Sequence, residues 1–357
     1  MMLIIIAGVS ITPIINNYRD GSVMRTIAHD QHGEARQVLH LSEKQPPPAP
    51  APAAGQVRAR VLSRPIHPGD LAGVRGLPDA PQRRFATPRI PGLEGMGVVD
   101  TIGAGVRHLR PGQRVAFFPV PGAWSELLTA PADLVVPVPE GVDDETAALM
   151  LVNPLTLLRA VEDAQHSQAG PVVQTAAGSS VGRLASAAAL EHGIPLVNLV
   201  RSGPGAQTLR QRFPDLPTVS TADADWRTQV RDAAGGRGAQ VVLDAVGGSL
   251  TGEPAGLLDD GGTLITYGQL GSGSTPLESL VLTPRALTVR GVSIGRWMSR
   301  TPEERAEDVA FASRLAATAP ELFEVAASYD LADFAKAVGH VRRPGKSGTV
   351  LLTSPAP

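Results

Sequence analysis

PVVQTAAGSSVGRLASAAALEHG (Pro171–Gly193) is the stretch from which the rest of the chain can be read. Apolar Val172–Thr175 predicts a short buried strand, a turn of small residues follows, and Val181–Glu191 predicts an Ala-rich helix closed by Gly193. The turn AGSSVG (177–182) has the spacing of a G-x-G-x-x-G loop, with Ala177 and Ser179 in the first two glycine places and Gly182 in the third. Small side chains there let the backbone approach a pyrophosphate. The helix N-terminus supplies free N–H groups and the positive end of its dipole, and Gly182 lets helix and strand pack closely. The alternative is a small-residue turn in any βαβ unit.

The next strand sharpens the reading. PLVNLVRSG (195–203) ends near the place of an adenosine ribose, about 20 residues beyond the loop. A carboxylate there would bond the ribose 2′-hydroxyl and indicate NAD. Arg201 and Ser202 stand there instead. A guanidinium suits a phosphate, so the expected cofactor is NADPH (NADP); the alternative is a solvated arginine at a strand end. VVLDAVGG (241–248) and GGTLITYGQL (261–270) read as two further strands of the same sheet, with a helix at Ala206–Arg212. Ligands of open α/β sheets lie beyond the carboxyl ends of the strands, which makes both tails candidates for the nicotinamide side.

Working outward, the alternation of strand and helix from about Leu151 predicts a doubly wound parallel sheet. Before it, from Met24, short apolar runs cut by Pro and Gly predict a β domain: VRARVL (57–62), GVVDTI (97–102), QRVAFFPV (113–120) and DLVVPVP (133–139). QPPPAPAPAAG (45–55) reads as a stiff surface loop. TPEERAEDVAFASRLAAT (301–318) predicts a helix with Pro302 and Glu303–Glu304 in its first turn, and Thr349–Thr353 a last strand. Residues 1–23 read as an extension before the folded domain, with an extra strand or arm as the alternative.

The 357 residues carry a formal net charge of −2 and no basic–aromatic stripe, which points away from nucleic acid and anionic membrane. The opening MMLIIIAGVSITPII is short for a spanning helix, which needs about 20 residues, and lacks the marks of a secretory signal. Cysteine is absent. That excludes disulfides, thiol nucleophiles and every thiolate zinc site, and it suits a reducing, cytoplasmic location.

The run PGLEGMGVV (91–99), GAGV (103–106), PGQRV (111–115), GAWSELL (122–128), VNPLTLLRAV (152–161), the 177–182 loop, VVLDAVGG, GGTLITYGQL and VRGVSIGRW (289–297) resembles the zinc-independent medium-chain dehydrogenase/reductases. Within that superfamily the 2-enoyl thioester reductases are most similar, with quinone oxidoreductases next. The resemblance implies an α/β chain: a GroES-like, partly open β-barrel domain over 24–150, completed by 295–357, and a Rossmann NADPH-binding domain over 151–294. It also implies cofactor contacts at Asn153, Gly178, Ser179, Ser180, Val181, Gly182, Arg201, Ser202, Tyr267, Gly268, Gln269, Leu270, Val292, Ser293 and Ile294. A basic residue near the C-terminus often joins them, but Lys346 is offset from that place and Gly348 occupies it. A homodimer through the sheet edge near 276–295 is implied as well.

Two departures bear on the chemistry. Leu93 stands before Glu94 where zinc-dependent relatives have His, so the expectation is no metal. Enoyl thioester reductases carry a Tyr shortly after an NPSD-like segment, whereas here HPGDLAGVRGLPDAPQRR (67–84) places Leu77–Pro78 there. His67 replaces the family Asn and can donate a proton near neutral pH; its alternative is an ordinary turn histidine before Pro68. Asn153 and Thr156 are further candidates, for positioning the nicotinamide or the substrate carbonyl, and Trp297 for an apolar wall. The expected reaction is hydride transfer from NADPH to the activated C=C of an enoyl thioester or enone. A quinone is the alternative acceptor, and a non-catalytic NADPH-binding protein the reading from another class. Arg75, Arg83, Arg84 and Arg89 could meet the phosphates of a CoA- or carrier-linked acceptor; the alternative is a solvated loop.

Overall fold

The computed structural model describes residues 24–44, 52–76, 84–164, 170–248, 251–271, 273–343 and 345–355. The extension 1–23, most of the Pro/Ala-rich loop, and Leu77, Pro78 and Arg83 lie outside the described residues. The chain forms two compact units, Met1–Val152 with Met298–Pro357, and Asn153–Trp297.

In the first unit, β1 (Met24–His29) and β2 (Leu39–Lys44) pair antiparallel as a separate ribbon. The main sheet contains β3 (Gln56–Pro65), β4 (Gly95–Ile102), β5 (Arg114–Phe117), β6 (Leu127–Pro131), β7 (Val135–Pro137), β14 (Val325–Asp330) and β15 (Thr349–Thr353). Its order is β14-β15-β3-β4-β5-β7 with β6 also on β3, so the C-terminal strands complete the N-terminal sheet and the barrel stays open. Strand β3 alternates, with Val57, Ala59 and Val61 buried and Arg58 and Arg60 turned outward, as a strand with one wet face must. The core beneath gathers Ile27, Ile66, Val74, Trp124, Leu331 and Leu352. Arg64, fully buried, ties it together: its guanidinium donates to the Ala123, Ser125 and Leu352 carbonyls and to Ser354 Oγ. The helix Pro302–Thr318 opens with the expected signals, Thr301 and Glu304 exchanging capping bonds around Pro302.

The second unit is a six-stranded parallel sheet of β8 (Val172–Gln174), β9 (Leu196–Val200), β10 (Thr218–Ser220), β11 (Ala239–Asp244), β12 (Leu258–Thr266) and β13 (Thr288–Gly291). Its order, β10-β9-β8-β11-β12-β13, reverses direction of travel between β8 and β11, which is the switch point of a doubly wound fold. Every residue of β11 is buried, the continuous burial expected of a parallel strand covered on both faces. Val242 and Leu264 pack with Trp226 and Val230 on one face, while Val241, Leu243 and Ile265 pack with Ala160 on the other. No described helix is long and apolar enough to cross a membrane.

Candidate active site

Strand β8 delivers the chain to the switch point, where Ala176 takes a left-handed φ of 48° to start the turn. Ala177 N–H donates to Leu199 O on the neighbouring strand at 3.1 Å, which pins the turn against β9. Ser179 then caps the helix Ser180–His192, its Oγ accepting Gly182 N–H at 3.1 Å. That helix ends on Gly193 at φ 63°, a left-handed cap that favours glycine. Gly178 is exposed and Ser179 to Val181 are partly so, leaving the start of the helix accessible to an anion. Arg201 follows the end of β9; it is exposed and bonds no other described residue. Beside it Ser202 caps the next helix, accepting Gly205 N–H at 3.3 Å.

Three polar groups beneath this turn escape a reading by spacing. Gln174, fully buried, donates from Nε2 to Gly182 O, Ser186 Oγ and Asn198 Oδ1. Arg183, 2 % exposed, donates to Gly178 O at 2.8 Å from within the helix. A cation in the first turn opposes the helix dipole, and that anomaly in an Ala-rich helix is a signal in the sequence. Asp244, fully buried at the end of β11, accepts from Thr175 and Thr251 hydroxyls and from two backbone N–H groups.

Tyr267, Gly268, Gln269 and Leu270 continue β12 past its carboxyl end, with Tyr267 N–H on Asp244 O and Leu270 N–H on Ala245 O. Burial, then the Asp244 charge, push the Tyr267 hydroxyl pKa upward, so that phenol stays protonated. Val292, Ser293 and Ile294 follow β13, and Val292 N–H donates to Thr266 O. The structure therefore gathers these segments at one end of one sheet.

The first unit holds a second polar centre. His67 precedes the helix Pro68–Arg75, and its backbone N–H donates to Asp70 Oδ2 at 2.8 Å. Its Nε2 lies 2.6 Å from Glu94 Oε2. Glu94, 1 % exposed, accepts with its other oxygen from Leu151 and Val152 N–H at 2.9 and 2.7 Å. Burial lowers the His67 pKa, but the hydrogen bond and charge of Glu94 and the charge of Asp70 outweigh it, and the net shift is upward. Burial raises the Asp70 carboxyl to about 6. Asn153 and Thr156, both buried, lie in the helix Val152–Ala164 that begins beside Glu94's two backbone donors. Trp297 is buried too. Arg75 pairs with Glu34 at 3.1 Å and Arg89 stacks over Phe85 at 4.0 Å, while Arg84 is exposed.

The profile of the alcohol dehydrogenase GroES-like domain matches residues 53–140, and that of the zinc-binding dehydrogenases matches 180–314. The mitochondrial enoyl-[acyl-carrier-protein] reductase of Xenopus tropicalis is 32 % identical over 295 residues, which cover 79 % of this chain and 79 % of that one. Its human counterpart is 27 % identical over 77 % of this chain and 73 % of its own. A solved Bacillus thuringiensis protein assigned as an NADPH:quinone reductase superposes with a TM-score of 0.82 at 29 % identity, covering 93 % of this chain and 99 % of that one. This chain belongs to the medium-chain dehydrogenase/reductases, of the enoyl reductase and quinone reductase type. The Escherichia coli quinone oxidoreductase solved with NADPH shares the fold at a TM-score of 0.81 and 24 % identity, over 93 % of this chain and all of that one.

Zinc figures in the name of the second of these families, so the donors available to a metal bear on the chemistry. The chain has no thiolate to offer, and among the described residues no three of His, Asp and Glu are set to hold a metal. His67, the histidine nearest Glu94, turns Nε2 to that carboxylate. Groups that could hold a dinucleotide are present: an open turn, a capped helix start and, just past the end of β9, an exposed guanidinium.

Proposed function

We propose that this protein is a zinc-free, NADPH-dependent reductase that delivers hydride to an activated C=C, an enoyl thioester or an enone. The observation that carries the reading is the Gly178–Gly182 turn, opening onto the start of a Ser179-capped helix, with Arg201 just past the end of the neighbouring strand. Gly178 to Gly182 would hold the diphosphate, Arg201 and Ser202 the 2′-phosphate, and the tails Tyr267–Leu270 and Val292–Ile294 the nicotinamide half. Bound NADPH supplies the hydride. The protein's part is to orient that donor and the acceptor and to exclude water, with Asn153 and Thr156 as positioning groups. Hydride on the β-carbon leaves an enolate, which a proton on the α-carbon completes. His67 or water is the donor. The family likeness to enoyl-[acyl-carrier-protein] reductases supports a CoA- or carrier-linked acceptor, with the exposed Arg84 and Arg89 as phosphate contacts.

A quinone acceptor is the second reading, favoured by the lack of any Tyr between Tyr18 and Tyr267. We further propose a cytoplasmic homodimer joined through β13, which ends the sheet and leaves Val289 exposed; light scattering of purified protein tests the dimer. The functional test is anaerobic loss of NADPH absorbance with crotonyl-CoA against a soluble quinone. Turnover of crotonyl-CoA supports the first reading, and turnover of quinone alone replaces it with the second. Binding of NADPH with no turnover on any acceptor returns the protein to a cofactor-binding role.

A further inference from the structure

Asp244 is a fully buried carboxylate at the switch point, and among the described residues no cation pairs with it. Burying such a charge is costly unless every lone pair is used. Here all the partners are present. Oδ1 accepts from Thr175 Oγ1 at 2.6 Å and Val246 N–H at 3.1 Å; Oδ2 accepts from Gly247 N–H at 3.1 Å and Thr251 Oγ1 at 2.6 Å. Thr175 Oγ1 in turn accepts Ala245 N–H at 3.0 Å. The carboxylate thus fixes three consecutive amides, Ala245 to Gly247, directly or through one hydroxyl. That turn then supports the next one: Leu270 N–H donates to Ala245 O at 3.1 Å and Gly271 N–H to Val246 O at 2.7 Å. Two loops at the carboxyl ends of β11 and β12 are therefore shaped by one side chain.

We propose that Asp244 is the positioning residue for the nicotinamide half of the cofactor, acting through the 245–247 turn on the 267–271 tail. The proposal rests on the NADPH reading above. The phosphate-binding turn at 177–182 has its own supports, Ser179 and the Gln174 amide, so loss of Asp244 should separate the two halves of the ligand.

Asp244→Asn makes the test sharp. An amide replaces one oxygen by an NH2 donor, which must face either Val246 N–H or Gly247 N–H. Threonine hydroxyls can rotate to accept, whereas a backbone N–H cannot, so one pair of donors is forced together in a buried site. In the cofactor-free protein, hydrogen exchange of 245–248 and 268–271 is expected to quicken while 177–182 keeps its protection. NADPH affinity, read from nicotinamide fluorescence, is expected to fall about tenfold or more, while adenosine 2′,5′-bisphosphate binds within about twofold of the parent. Equal weakening of both ligands would assign Asp244 a general structural role and overturn the proposal, as would unchanged binding of both by a folded variant. Thr251→Val and Thr251→Ser repeat the test if Asp244→Asn does not fold: the valine variant should show the split and the serine variant should restore it, and two indistinguishable variants would refute it. Failure of the parent protein to bind NADPH would instead overturn the cofactor reading, and this proposal with it.

Discussion

Two alanine substitutions four residues apart, Gly178→Ala and Gly182→Ala, separate the turn's two duties. A Cβ on Gly182 would lie 2.7 Å from Ala176 O, Ala177 Cα and Ala177 O, all backbone atoms that no rotamer change can move aside. The helix must back away from the Ala176–Ala177 turn, and overpacking of this kind costs about 2 kcal/mol, or roughly a 5 °C lower Tm. A Cβ on Gly178 meets nothing within 4 Å. Stability should stay within about 0.5 kcal/mol of the parent. If a diphosphate sits over this turn, however, that open space is where it sits. Phosphate oxygens bonded to backbone N–H at about 2.9 Å cannot share it with a methyl group that needs about 3.5 Å. Loss of one charge-assisted bond, worth about 1.5–3 kcal/mol, weakens NADPH binding about ten- to hundredfold.

Calorimetry for stability and fluorescence titration for NADPH read the two effects separately. Gly178→Ala should keep its Tm and lose affinity; Gly182→Ala should lose both. A folded Gly178→Ala that binds NADPH like the parent would refute the placement of the phosphates over this turn. A Gly182→Ala as stable as the parent would refute the packing argument.

Arg201→Ala should raise KM for NADPH about tenfold or more while leaving KM for NADH nearly unchanged, since only the 2′-phosphate loses a partner; an equal effect on both coenzymes would contradict the assignment. Arg64→Met should lower stability by about 3 kcal/mol or more in denaturant titration, because three buried carbonyls and Ser354 Oγ lose their donor. The His67 pKa is raised in the folded protein, so its contribution to stability is complete below the usual 6.5 and is lost as pH rises through the higher folded value. Asp70, raised from 3.8 to about 6, acts in the same direction at lower pH, favouring the fold while protonated and losing that contribution as pH climbs between those values. Thermal melts across this range should show the decline, and His67→Gln should remove the part above 6.5.

The elements followed from pattern because pattern reflects burial. Continuous apolar runs marked β8, β9 and β11, which are covered on both faces, and alternation marked β3, which is covered on one. β10 and β14 carry no such pattern for the same reason: three residues, Thr218–Ser220, are too few for a period, and Val325–Asp330 is only half-buried, so its polar and apolar residues do not sort cleanly. The carboxyl-end rule for open sheets points to the tail Tyr267–Leu270 from sequence alone, whereas Val292–Ile294 follows only from the family likeness, since no local spacing distinguishes it. That likeness gave no hint of the His67–Glu94 contact, since the two side chains are 27 positions apart and meet only through the sheet.

Asp244 is instructive. In VVLDAVGG the apolar run and the glycines announce a strand and a turn, and the aspartate between them looks like an ordinary strand end. Yet a carboxylate closing a fully apolar strand must either reach water or collect donors, because burial leaves no third course. The sequence beyond it already holds the donors: a small-residue turn whose amides are free to point back, and Thr251 seven positions on. A charged residue at the end of a both-faces-buried strand therefore marks a loop whose shape is held from beneath, and in a doubly wound sheet such a loop stands where the ligand does. The same logic applies to Arg183, a cation placed against the dipole of its own helix and bonded to the Gly178 carbonyl. Both residues break the local rule at the carboxyl edge of one sheet, which is the edge proposed above for the cofactor.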